Sequence, residues 1–149
     1  MRKVNTLRFG EIEVSEEDVV NFAEGIPAFE EEHEFRIIPY PPGEETPYAF
    51  LQSLKTPELA FLMADPFKFF ADYSFEIDDE SLAALGSPQQ ENVGIYVIIT
   101  MPEGKVEEMT ANLMAPVVIN VANMKAKQIV LDRSRYTTKH KLFPASEQD

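Results

Sequence analysis

The sequence predicts a mainly β domain, a sandwich or a barrel, carrying one or two short helices. Three observations predict it. Short runs that alternate apolar with polar residues recur at intervals of 8–15 residues along the chain. Proline and glycine punctuate the gaps between them. No long helical period interrupts the series. The 149 residues make one domain's worth of chain, expected to span 1–149 as a unit. A chain of this size buries roughly 68–70% of its unfolded surface, enough for a core without covalent staples.

The elements follow in order. KVNTLRF and EIEV flank Gly10 and alternate as paired strands do. Ser15 precedes Glu16, Glu17 and Asp18, an N-cap pattern for a brief helical turn, which the β-branched VVNF cuts short. FRIIPY, YAFLQSL and AFLMAD follow at hairpin spacing. Between the first two lies Pro39–Gly43, where three prolines cannot join a ladder and a glycine permits reversal. Five acidic residues border it: Glu30, Glu31, Glu32, Glu34 and Glu44. The stretch 78–86, DDESLAALG, reads as the better helix. Asp78 or Asp79 caps it and Gly86 takes the left-handed position after its end. Two turns are not stable alone, so Leu82 and Leu85 must dock on the sheet. ENVGIYVIITM is the longest apolar strand, expected to be central and covered on both faces. EEMTANL, APVVINV and KQIVL complete the series.

Composition excludes several function classes. There is no cysteine, so disulfides, thiol catalysis and thiolate metal sites are ruled out. The N-terminus lacks an apolar signal region, and the apolar run 93–101 falls short of the ~20 residues of a membrane helix. A cytoplasmic location is the expectation, with no membrane partner. The net charge is −13 and unevenly spread. Residues 125–149 carry six basic and three acidic residues, while residues 1–124 carry seven basic and 23 acidic. Such a field repels phosphate backbones and attracts basic partners. It also serves plain solubility.

No catalytic constellation stands out, and a non-enzyme is expected. The serine elbow and phosphate-cradle motifs are missing. Only His33 and His140 could act as a base. His33 sits in the acidic run EEEHE, where a solvated surface ring is the simpler reading; His140 lies among cations. Two isolated histidines make no zinc site, and Asp78, Asp79 and Glu80 lack the ligand spacing of a calcium loop. No cofactor or metal is expected.

Two features suggest recognition instead. ADPFKFFADYSF packs Phe67, Phe69, Phe70, Tyr73 and Phe75 into nine residues after an Asp65–Pro66 break. Most should be core, yet not every ring of a turn-like segment can face inward. One or two are then anchors in an exposed patch. Asn112 and Asn120 lie in apolar strand surroundings, where an amide either ties neighbouring loop backbone or recognises a peptide. Gln52 and Thr110 pose the same choice.

Taken together, several segments resemble the flagellar assembly factor family called FliW. They are Asn5–Thr6 with Phe9–Gly10, then Phe22, Glu24, Gly25, Ile26, Pro27, Phe29 and Glu30, then FLQS (50–53) and LAFLMADPFKFF (59–70), then TANLMAPVVIN and KQIVL. No block is specific alone; their order and spacing are. One departure is Ala28, where the family pattern commonly has Gly; alanine fits there if φ is negative. The resemblance implies a small antiparallel, barrel-like β domain. It also implies a non-enzymatic regulator that binds flagellin and, when free, binds and antagonises the translational repressor CsrA, a basic RNA-binding dimer. Phe29, Glu30, Gln52, Phe67, Phe69, Phe70, Asn112 and Asn120 are the expected contact residues. The alternatives are a flagellin chaperone without repressor control, and a ligand-binding barrel or enzyme with an unrecognised pocket.

Overall fold

The computed structural model describes residues 2–41, 45–131 and 136–143. Of the expected loop Pro39–Gly43, Pro39 instead ends a strand, opposite Ala49, while Pro42, Gly43 and the following Glu44 lie outside the described residues. So do Asp132, Arg133, Arg135, Glu147 and Asp149 of the basic C-terminal stretch.

The chain opens with a hairpin of β1 (Arg2–Thr6) and β2 (Gly10–Val14), antiparallel from Arg2↔Val14 to Thr6↔Gly10. Thr6 fixes its turn. Its hydroxyl donates to Gly10 O at 2.8 Å and accepts from Phe9 N–H at 2.8 Å. Val4 and Val14 cluster with Val19, Ile12 and Leu54, which seats the hairpin on the body.

The remaining long strands close a barrel of seven. In chain order these are β3 (Val20–Phe22), β4 (Glu34–Pro39), β5 (Tyr48–Ser53), β6 (Ala60–Ala64), β7 (Val93–Thr100), β9 (Val117–Asn120) and β10 (Lys125–Gln128). β8 (Thr110–Ala111) and β11 (His140–Lys141) add short pairings beside the C-terminal end of β7. Around the barrel the order is β3-β4-β5-β6-β7-β9-β10, and β10 returns to β3. Every seam is antiparallel except the last, where Lys125↔Asn21 and Ala126↔Phe22 run parallel. Closure removes most free edges, the hazard of small sheets.

Period-two alternation fills the interior. Phe22, Phe35, Leu51, Met63, Val117 and Ile119 point inward and are at most 2% exposed. Burying each such side chain contributes about 1.5–3 kcal/mol. Outside the barrel, Leu85, Val118 and Ile129 join Phe75, Ile77, Val93 and Ile95 in a second layer. The helix α1 (Asp79–Ala84) covers that layer. Asp78 caps it, accepting from Ser81 N–H at 3.1 Å. Gly86 ends it at φ +84, and any Cβ there would meet Asn123 Nδ2 at 2.6 Å. Leu85 docks fully and Leu82 only partly.

Several expectations need correction. Ser15 precedes a 3₁₀ turn, Glu16–Asp18, but makes no cap; its hydroxyl faces the Glu17 carboxylate at 3.3 Å. The turn does stop where the β-branched VVNF begins, and Val20–Phe22 of it form strand β3. The last barrel strand begins at Lys125 and stops at Gln128, short of Leu131. EEMTANL contributes only Thr110–Ala111. β7 is central but not covered on both faces, because only Val97 and Ile99 are buried in it.

Candidate functional site

The turn at 26–29 presents the first aromatic. Phe29 N–H donates to Ile26 O at 2.6 Å, with Pro27 and Ala28 between them. Ala28 has φ +73, as the third position of a type II turn requires. The negative φ that alanine would need is therefore not met, and this is the position where the family pattern carries glycine. Glu30 braces the turn by accepting from Ala28 N–H at 2.9 Å. Phe29 is 40% exposed and rests edge-on against Phe61 at 5.3 Å.

Two residues on, Glu32 joins this turn to the FLQS segment. It accepts from the Ser53 hydroxyl at 2.5 Å and the Thr56 hydroxyl at 2.6 Å. Burial opposes its ionisation, but the two hydroxyl bonds, with the nearby charges of Lys55 and His33, hold the carboxyl below its ordinary range. Gln52 is fully buried, and its Nε2 reaches the carbonyls of Ser53, Pro57 and Leu59 at 3.0–3.2 Å. It organises the β5–β6 loop from inside, while its Oε1 is buried without a hydrogen-bond partner among the described residues.

The aromatic cluster divides as its spacing suggests. Asp65 accepts from Phe67 N–H at 3.0 Å and starts a 3₁₀ turn, Pro66–Lys68. Phe69 packs on Tyr48 and Phe143, and Phe70 on His140. Tyr73 is buried, its hydroxyl donating to Leu113 O at 2.7 Å. Burial, then the neighbouring Tyr136, push that phenol well above its ordinary range. Phe67 alone of these rings turns outward, 46% exposed.

The two asparagines are ties. Asn120 is buried; its Nδ2 donates to Leu85 O at 2.7 Å and its Oδ1 accepts from Ala122 N–H at 3.0 Å. It thereby clamps the end of α1 to the β9–β10 turn. Asn112 accepts from Ala115 N–H at 3.1 Å and shapes the 112–115 turn. Phe29 and Phe67 stay exposed but flank opposite ends of β6, so the expected contact residues do not converge on one spot.

One surface was missed by sequence reasoning. Tyr40, Met101 and Val106, all exposed, border a depression floored by Phe50 and Leu62, and Arg8 lies 4.4 Å over the Phe50 ring. Its residues come from five separated segments, so no local pattern could reveal it. Charge on the body is dominantly acidic. Glu16 and Glu34 pair with Arg2 at 2.6 and 2.9 Å, which lowers both carboxyls. Glu11, Glu13, Glu17, Asp18, Glu30 and Glu31 stay exposed.

With this geometry established, comparison with known proteins is informative. The model of the FliW protein family matches residues 3–142. The chain belongs to the FliW family. The flagellar assembly factor FliW of Geobacillus sp. (strain WCH70) is 43% identical over 142 residues, covering 95% of this chain and 96% of that one. The FliW of Caldanaerobacter subterraneus subsp. tengcongensis is 46% identical over 141 residues, covering 95% and 93%. A crystal structure of the flagellar assembly factor FliW superimposes with a TM-score of 0.88 at 41% identity, covering 96% of this chain and 98% of the other. The barrel described above is thus shared with a solved FliW structure. No helix among the described residues is long and apolar enough to cross a membrane.

Proposed function

We propose that this FliW-family protein is a partner-switching regulator of flagellin supply in the cytoplasm. It binds flagellin; when flagellin has been exported, the free protein captures the basic RNA-binding dimer CsrA and relieves repression of flagellin translation. The observation that carries the reading is full-length membership of a family of flagellar assembly factors. The acidic body supports it. Twenty-three acidic against seven basic residues in positions 1–124 suit steering of a basic protein at low salt. Once docked, that charge places negative potential beside the partner's RNA site. The role needs no catalysis, only exposed anchors such as Phe29 and Phe67 on a rigid barrel.

Calorimetry of the purified chain against a CsrA-type dimer, and separately against flagellin, tests the reading. Saturable heats with both, and weakening of the CsrA isotherm by salt, are expected. Phe67→Ala should weaken one partner severalfold while leaving the thermal midpoint almost unchanged, because the ring is already half in water. Silence with both partners would overturn the reading, and a large fall in midpoint would reassign Phe67 to the core.

A further inference from the structure

The barrel seam between β6 and β7 is short although β7 is the longest strand. Their ladder holds two residue pairs, Met63↔Ile98 and Ala64↔Val97. The β4–β5 and β5–β6 ladders hold five each. The sequence explains the early end. Continued in the same register, Ile95 would face Pro66, which has no N–H to give. Asp65 still faces β5, its N–H reaching Pro47 O at 2.8 Å, and its carboxylate holds Phe67 N–H at the start of the 3₁₀ turn that leaves the sheet. Beyond Val97, toward its N-terminal end, β7 has no strand partner among the described residues on that side, where the 3₁₀ turn Pro66–Lys68 approaches it. On the other side it stays paired, from Val93↔Asn120 to Tyr96↔Val117.

Two bonds fix which way the main-chain groups of β7 point. Val121 donates to Asn92 O, and Asn112 donates to Ile98 O. Even-numbered residues therefore turn N–H and C=O toward β9 and β8, and odd-numbered residues toward β6. Val97 meets Ala64 there. Val93 N–H bends back to Gln90 O. No strand among the described residues pairs with Val93 or Ile95 on the β6 side, toward which the Val93 carbonyl and both main-chain groups of Ile95 point. Two depressions lie on either side of Phe67, and both reach Val93 and Ile95. The charged side chains lining them are Asp65 and Glu76, both carboxylates.

We infer that this open edge is a strand-addition site for an extended, basic segment of a partner protein. Main-chain bonds to Ile95 and to the Val93 carbonyl set the register. Apolar side chains of the segment enter the depressions beside Phe67, and its Lys or Arg residues meet Asp65 and Glu76. A second copy of this chain is a poor occupant because its own charge of −13 repels it. The inference goes beyond the flagellin and CsrA reading and does not rest on it: the site can hold with other partners, and that reading can hold with contacts elsewhere.

The test uses the full chain with an array of eight-residue peptides in which Val, Ile or Tyr alternates with Lys or Arg. In the free protein, the Ile95 amide should exchange with solvent at least tenfold faster than those of Gly94 and Tyr96, which face β9. Array members should bind saturably and slow exchange at Ile95. N-methylation of the peptide amides facing Ile95 and Val93 should weaken binding about tenfold, and replacing Lys and Arg by Glu should abolish it. Four results overturn the inference: an Ile95 amide already protected in the monomer, protection that arises from self-association, no saturable binder in the array, or N-methylated peptides that bind undiminished.

Discussion

At the scale of single residues, two positions carry most of the local cost and cohesion. Ala28 holds φ +73, where a Cβ crowds the backbone. Nothing in the turn compensates except the brace from Glu30. Ala28→Gly should therefore stabilise the fold by about 1 kcal/mol, less the extra chain entropy glycine gains when unfolded. Denaturant titration checks it; a loss of stability would mean the turn tolerates alanine without strain. Glu32 is the opposite case, a carboxylate whose two hydroxyl donors, with the nearby charges of Lys55 and His33, hold its pKa below the ordinary 4.5. Its contribution is present above that ordinary value and is lost as pH falls through the lower folded-state value. Glu32→Gln should cost about 1–3 kcal/mol at pH 7, and the gap to the parent should narrow as both are titrated toward pH 3. A gap that stays constant with pH would show the effect to be steric.

At the scale of elements, local chemistry was legible and distant pairing was not. Alternation around Gly10, FRIIPY, YAFLQSL and AFLMAD marked β1, β2, β4, β5 and β6, because side-chain period two is written in the chain itself. Asp78 and Gly86 bounded α1 for equally local reasons. The parallel β3–β10 seam was hidden: two residue pairs join segments a hundred positions apart, and no local pattern records such a partner. β3 itself was obscured by the acidic run before it, which mimics a helix start while Ser15 spends its hydroxyl on Glu17. Among the candidate contacts, the exposure of Phe67 followed from crowding of rings in a turn. Gln52 ties neighbouring loop carbonyls, one of the two readings its sequence position allowed, whereas the tie of Asn120 to Leu85 was not legible because that acceptor lies 35 residues away. Asn120 now reads as the clamp between α1 and the barrel. Asn120→Ala should cost about 1–3 kcal/mol, leaving Ala122 N–H without its acceptor, and should speed amide exchange in α1 first. Uniform acceleration across the barrel instead would place Asn120 in the global core.

At the scale of the whole molecule, a closed barrel offers a rigid frame whose variable quantity is what its surface attracts. The exposed carboxylates on the hairpin and on the 24–31 segment act through their sum, so partner capture should respond to total charge and salt more than to any single acid. Substituting Glu30→Gln and Glu31→Gln together should slow association with a basic partner and flatten its salt dependence, while dissociation changes little. Equal effects on both rates would point to direct contacts at those two residues. Alternation between flagellin and CsrA adds a thermodynamic requirement: if each partner excludes the other, each must weaken the other's affinity by the same factor.

The most direct measurement is therefore a competition. A preformed complex of this chain with a CsrA-type dimer is titrated with flagellin, and the reverse titration is run under the same salt. The account predicts that each partner displaces the other and that the two apparent affinities shift by equal factors. Simultaneous binding of both partners with unchanged affinities would contradict it.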